Sequence, residues 1–272
     1  MSAVPFLFAT LIGVFITPDA VVVGADTAVS NRSGQISTRQ KYCVTGPQSV
    51  ATLQGVYELI DTEAKTTLAL YDSFLELCAK IDREQLPPTL LGKGIYIADR
   101  LSESLSRFLM NIPATEIVRR YASNPIVARI AVSGYEDSGP ASIVLELGIA
   151  TDVKANQWGT RVRTQSRLTF KECGVRFHGQ DSVLAAVRSG RDVRLPRVER
   201  EKPEIMSLST LIRGDCSGLS VSSAPGMFKD AVRVTITQGR GFGIPTGAVN
   251  LPLDIVVIPR AGETEVSRIE SW

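Results

Sequence analysis

Two apolar runs stand out near the start of the chain. TLIGVFI (residues 10–16) and AVVVGADTAV (20–29) are rich in β-branched residues, and Thr17-Pro18-Asp19 lies between them. Near-continuous apolarity over so short a length predicts strands buried on both faces. Pro18 supplies the fixed φ of a tight turn, so the two runs read as a hairpin. Asn31-Arg32-Ser33-Gly34 reads as a further turn, and short strands are predicted around 41–44 and 49–53. The period then changes. Leu59, Ile60, Ala64, Leu68, Leu70, Phe74, Leu75 and Cys78 fall mostly three and four apart, which predicts a helix over 57–82. A second helix is predicted over 92–110, with Ile97, Leu101, Leu105, Phe108 and Leu109 along one side. Strands return at 125–133 and 141–147 around the turn-forming stretch YEDSGP, and strand-like sequence continues to Phe170. Residues 180–188 and 202–212 read as short helices. Residues 229–238 are ambiguous, because their position suits a helix whereas Val232, Val234, Thr235 and Ile236 favour strand. A last strand is predicted at 253–258, followed by a charged, mobile tail over 261–272.

The order is strands, two helices, strands, helices, strand. That is not the alternation of a doubly wound parallel sheet; it predicts an α+β chain with two mainly antiparallel sheets between helices. The 272 residues, 44% apolar, are enough for one substantial core, and no linker, repeat or low-complexity segment divides them.

Composition narrows the function by exclusion. With 30 basic and 28 acidic residues the net charge is +2, which argues for neither nucleic acid nor membrane as a partner. The basic stretch 161–202 has Asp and Glu mixed through it and reads as solvated surface. Cys43, Cys78, Cys173 and Cys216 form no CxxC pair, so no structural zinc site is expected; the even number permits disulfides and buried thiols alike. His178, the sole histidine, cannot build a Ser-His-Asp triad unaided. The chain has no GxGxxG, Walker, HExxH or GxSxG motif, and no metal or cofactor is called for. The uncharged run 4–16 is shorter than the roughly 20 residues a membrane-spanning helix needs. The first three residues lack the Lys or Arg of a secretory signal. A cytoplasmic protein is the expectation; a secreted or periplasmic one follows if residues 1–9 end a longer signal.

TLIGVFITPDAVVVGADTAVSNRSG resembles the first hairpin of proteasome-type subunits, in which an N-terminal Thr begins a strand and the second strand ends in Ala-Asp. Lys41 follows Asp26 at close to that family's interval, and ATLQG (51–55) resembles its short strand ending in a functional glycine. IAVSGYEDSGPASIVLEL is similar to a later hairpin built around a Gly-Pro turn, and GAVNLPLDIVVI to the final strand. The matches occur in the family's order across most of residues 10–260. The resemblance implies the four-layer αββα sandwich of the N-terminal-nucleophile hydrolases, with a leader over 1–9 and one domain over 10–260. It also implies a peptide or small amide substrate and a ring or stacked-ring homo-oligomer.

The same resemblance assigns roles. A threonine hydroxyl needs a base to take its proton, and the α-amine of an N-terminal residue, with a pKa of roughly 7.7–8.0, can supply one. Thr10, freed by cleavage after Ala9, is the implied nucleophile. Asp26 would orient Lys41, Lys41 would lower the pKa of the hydroxyl and amine, and Gly55 would offer a backbone N–H to the oxyanion. Gln54 falls beside the implied specificity pocket. Ser2 is a rival nucleophile, freed by loss of Met1, but too far ahead of Asp26 for the family's geometry. An Asp ending an apolar strand also requires a buried partner on physical grounds alone. The chain departs from the active members' pattern at Ala28, where they carry Arg. It departs again at His178-Gly179-Gln180-Asp181-Ser182, where Gln180 or Ser182 stands for a supporting Ser, and at 241–246, where a further Asp and Ser are missing. These departures leave open a catalytically inactive structural or binding subunit, and the implied fold by itself also leaves open an acylase acting on small amides.

Overall fold

A computed structural model describes residues 10–30, 36–55, 58–61, 66–81, 85–123, 125–169, 173–179, 181–244 and 249–272. The first two apolar runs form strands β1 (Leu11–Ile16) and β2 (Ala20–Asp26), buried at every position. Thr17 closes the turn between them. Its N–H donates to the Ala20 carbonyl at 2.9 Å, and its hydroxyl both accepts from the Ala20 N–H and donates to that carbonyl. A short ribbon follows, β3 (Ala28–Ser30) with β4 (Ile36–Thr38), and then the hairpin of β5 (Tyr42–Gly46) and β6 (Ser49–Gly55).

The helix predicted over 57–82 is half strand. Its first part is the hairpin of β7 (Glu58–Asp61) and β8 (Thr66–Ala69); only α1 (Leu70–Lys80) is helical. The spacing misled because Leu59 and Leu68 do meet, but as partners across the hairpin rather than over turns of helix. Thr67, restricted at χ1, favours the extended chain. The next helix, α2 (Leu90–Leu109), starts where Thr89 accepts a hydrogen bond from the Gly92 N–H at 3.0 Å, and it buries the predicted stripe. A short helix not foreseen from the pattern, α3 (Ala114–Tyr121), precedes three long strands: β9 (Ile126–Glu136), β10 (Gly139–Asp152) and β11 (Gln157–Thr169).

After β12 (Gly174–Gly179) come α4 (Ser182–Ser189), α5 (Arg197–Arg200), α6 (Pro203–Ile212) and α7 (Ala224–Gln238). The ambiguous stretch thus belongs to α7. Burial of Phe228, Ala231, Val232, Val234 and Thr235 outweighs the strand preference of its β-branched residues. The chain ends with β13 (Leu253–Pro259) and β14 (Glu265–Ile269). The charged tail therefore contains an edge strand, paired antiparallel with β13.

The strands assemble into two five-stranded antiparallel sheets, ordered β12-β1-β2-β13-β14 and β11-β10-β9-β6-β5. With the seven α-helices among the described residues, the architecture is α+β. Leu11, Phe15, Val22 and Ile255 of the first sheet pack with residues of α4, α6 and α7. Ile12, Val14, Val21, Val23 and Val256 point the other way and cluster with Val50 of the second sheet. Ala51, Leu53, Ile130 and Leu145 on that sheet's remaining face pack with α1, α2 and α3. Gly24 lets α7 approach: a Cβ there would fall 2.2 Å from the Phe228 ring. Disulfides join Cys43 to Cys78 and Cys173 to Cys216, deciding a choice the sequence left open. Among the described residues, no helix is long and apolar enough to cross a membrane.

Candidate active site

Thr10 immediately precedes β1. Alternation along the strand places its side chain on the face of Ile12, which is turned toward the second sheet. Pairing of Ile12 with Ala25 sets Asp26, the last residue of β2, beside Leu11. The Leu11 N–H donates to Asp26 Oδ1 at 2.7 Å, so the carboxylate is tied to the backbone next to Thr10. Lys41 comes from the other sheet: its carbonyl extends the β5–β6 ladder by accepting from the Leu53 N–H at 2.9 Å.

The Lys41 side chain crosses to the first sheet. Its ammonium donates to Thr10 Oγ1 at 2.9 Å, to the Ala28 carbonyl at 2.5 Å and to Asp26 Oδ2 at 3.4 Å. Thr10, Asp26 and Lys41 are all 0% exposed. Burial disfavours charge on both ionic partners. It pushes the Asp26 carboxyl up to about 6, against the opposing pull of Lys41 and the Leu11 N–H. It pushes Lys41 below its ordinary value, against the pull of Asp26. Ala28, where an Arg was expected by resemblance, takes part through its carbonyl, which any residue would provide.

Gly55 ends β6 opposite Ala128. A Cβ there would fall 2.5 Å from the Val127 carbonyl oxygen and 2.8 Å from the Ala128 Cα, both backbone atoms, so this strand contact admits only glycine. The Gly55 backbone hydrogen-bonds to the Tyr71 hydroxyl, and that hydroxyl shares a 3.0 Å hydrogen bond with Thr10 Oγ1. The Lys41 ammonium also lies 5.8 Å from the centre of the Tyr71 ring. Burial raises the Tyr71 pKa, so the hydroxyl keeps its proton. Thr10, Asp26 and Lys41 are thus in direct contact, and Gly55 reaches them through Tyr71. Sequence reasoning missed Tyr71: beside Leu70 at the start of α1, it looks like any aromatic on a buried helix face.

Gln54 is 0% exposed, and neither amide atom has a partner among the described residues; the same holds for His178 Nε2. His178 is held neutral, its pKa lowered to about 4 by burial and then by Arg176 and Arg129. Gln180, residues 245 and 246, and the leader with Ser2 and Ala9 lie outside the described residues. Ser182 is the first residue of α4. Among the described residues no group of three or more His, Cys, Asp or Glu is placed to hold a metal ion.

No family model matches the chain, and no curated protein matches it significantly. Solved structures with a similar course include Anbu from Hyphomicrobium sp. strain MC1, at 12% identity and a TM-score of 0.46, covering 96% of this chain and 88% of that one. Anbu from Yersinia bercovieri, described as an ancestral beta-subunit, gives 10% identity, a TM-score of 0.44 and coverages of 96% and 87%. A helical assembly of the Anbu complex from Pseudomonas aeruginosa gives 12%, 0.48, and 96% and 86%. At such identities, with TM-scores below 0.5, no family assignment follows. The membership among proteasome-type N-terminal-nucleophile hydrolases that the sequence resemblance implied is therefore corrected: the chain is an α+β protein whose function must be argued from its own site.

Proposed function

We propose that this protein hydrolyses peptide or small amide bonds with the hydroxyl of Thr10 as nucleophile, after cleavage following Ala9 makes Thr10 the N-terminus. The observation that carries this reading is the fully buried Lys41 ammonium, 2.9 Å from Thr10 Oγ1 and paired with Asp26. A buried ion pair is costly to desolvate and is weak evidence for stability. Its direct contact with a hydroxyl gives it a chemical use, because a cation beside that oxygen favours the alkoxide developing during attack.

In this reading Thr10 Oγ1 bonds to the substrate's carbonyl carbon while its proton passes to the freed α-amine. The carbonyl electrons move onto oxygen, toward the Gly55 N–H and the Tyr71 hydroxyl. Collapse of the intermediate breaks the C–N bond, and the α-ammonium returns a proton to the departing amine. Water then hydrolyses the ester on Thr10 by the same route reversed. We place residues 1–9 as the leader and 10–260 as the catalytic domain. We infer a four-layer αββα arrangement from the three packing clusters that alternate with the two sheets.

Intact mass and N-terminal sequencing of active protein test this directly. We expect a chain beginning at Thr10, hydrolysis abolished by Thr10→Ala, and part of it retained by Thr10→Ser. A fully active preparation that keeps residues 1–9 would sink the mechanism, as would amide hydrolysis unaffected by Thr10→Ala.

A further inference from the structure

The cleft between the two sheets opens at one side, where β12 is the edge of the first sheet and β11 the edge of the second. A cavity of about 370 Å³ lies there, lined by Arg129, Arg176, His178, Asp181 and Arg188 among others. Its lining includes Gly179, which abuts the nucleophile: a Cβ on Gly179 would fall 2.0 Å from the Thr10 carbonyl oxygen and 3.3 Å from Gln54 Oε1. Strand register explains the meeting. His178 pairs with Ile12 and Arg176 with Val14, so both share the face of β1 that is turned toward the second sheet. On that sheet Gln54 pairs with Arg129, Arg129 with Glu146, and Glu146 with Arg163, which makes one polar row across four strands.

The charges do not balance. Glu146 accepts from Arg129 at 3.1 Å and from Arg163 at 2.6 Å, and so answers those two. Among the described residues Arg176 and Arg188 have no ion-pair partner, and Asp181 is the one carboxylate that shares the cavity lining with them. Two buried polar groups adjoin this excess of positive charge with hydrogen bonds unmade: the Gln54 amide and His178 Nε2, on residues 0% and 8% exposed. Orphans of this kind are uncommon in native interiors, because a buried polar group without a partner loses its hydration and gains nothing in return. Arg176, Arg188 and His178 line the cavity, whereas Gln54 lies behind Gly179; a ligand that supplies an anion and a hydrogen-bonding group would satisfy those three lining residues together.

We propose that this cleft binds a carboxylate of the substrate, with Arg176 and Arg188 as counter-charges and His178 hydrogen-bonding to a polar group next to it. The protein then prefers amides that carry an acidic group near the scissile bond. The word substrate rests on the Thr10 reading; the binding itself does not.

Calorimetric titration with the peptide acetyl-Ala-Glu-Ala-Ala-amide and its Gln counterpart separates the two. The Glu peptide is expected to bind at least about tenfold more tightly, as charge-assisted hydrogen bonds imply. The preference should persist in Thr10→Ala and vanish in Arg176→Ala/Arg188→Ala. Arg188→Gln, at an exposed helix position, should weaken it on its own if the double variant is unstable. Equal affinity for both peptides, no binding of either at millimolar concentration, or a preference that survives both variants overturns the proposal. So does tight binding of inorganic phosphate that Arg176→Ala/Arg188→Ala abolishes while neither peptide binds, which would assign the cleft to a phosphate. An acidic preference without hydrolysis would instead reject the nucleophile and leave the cleft standing, whereas hydrolysis indifferent to acidity would do the reverse.

Discussion

Asp26 and Lys41 are each moved toward neutrality by burial, and the shift on Asp26 has a measurable consequence. Its ordinary value of 3.8 is raised to about 6 in the folded protein. The native state therefore binds a proton that the unfolded chain releases between those values. The contribution is fully present below the unfolded pKa and is lost as pH rises through about 6, amounting to at most about 3 kcal/mol. Denaturant midpoints measured from pH 4 to 7 should show this fall in the wild type, and Asp26→Asn should remove it; parallel curves for the two would show that the carboxyl is not shifted. Tyr71 also meets Thr10, the nucleophile we propose. Its hydroxyl touches both Thr10 Oγ1 and the Gly55 backbone, so Tyr71→Phe removes a hydrogen bond at the reacting atoms while keeping the ring that packs α1. We expect kcat to drop about 100- to 1000-fold with KM little changed, the range seen when one donor to an oxyanion is removed. A change confined to KM would place Tyr71 in substrate binding instead.

The elements that carry these two residues are tied together. Cys43 of β5, two residues past Lys41, is bonded to Cys78 of α1, seven past Tyr71. The other disulfide, Cys173–Cys216, joins the approach to β12 with the segment after α6, away from Thr10. The spans closed, 35 and 43 residues, are similar, and the chain-entropy estimate gives each about 4 kcal/mol of stability. Replacing either pair with alanines should therefore lower the denaturant midpoint comparably. Hydrolysis under native conditions should suffer more from loss of the first pair, because it relaxes the spacing of Lys41 and Tyr71 about Thr10. Equal effects on activity would show that the sheet and helix packing alone hold that spacing. At this scale the sequence also misled: β7 and β8 were read as helix because cross-strand partners nine residues apart mimic a helical stripe.

Across the whole molecule, the site exists only where two sheets meet. Thr10 stands just before β1, β2 supplies Asp26, β6 supplies Gly55, and Lys41 reaches from just before β5 across the interface. The same interface runs outward to the cleft at β12, so Thr10 lies between a buried ion pair and a positively charged edge. Helices cover the outer faces, and α1 sends the Tyr71 side chain inward, its hydroxyl to Thr10 Oγ1 and its ring to within 5.8 Å of the Lys41 ammonium.

Local patterning was sufficient for the first hairpin, the stripe of α2, the antiparallel strand pairs and the α+β class, since each depends on residues close in the chain. It was also enough to single out Asp26, because a carboxylate closing an apolar strand must find a partner. The partner's contacts, the Tyr71 hydroxyl, the disulfide pairing and the excess charge at β12 were decided by tertiary structure. Each joins residues from different elements, and their meeting depends on strand register and sheet packing, which leave no periodic trace along the chain.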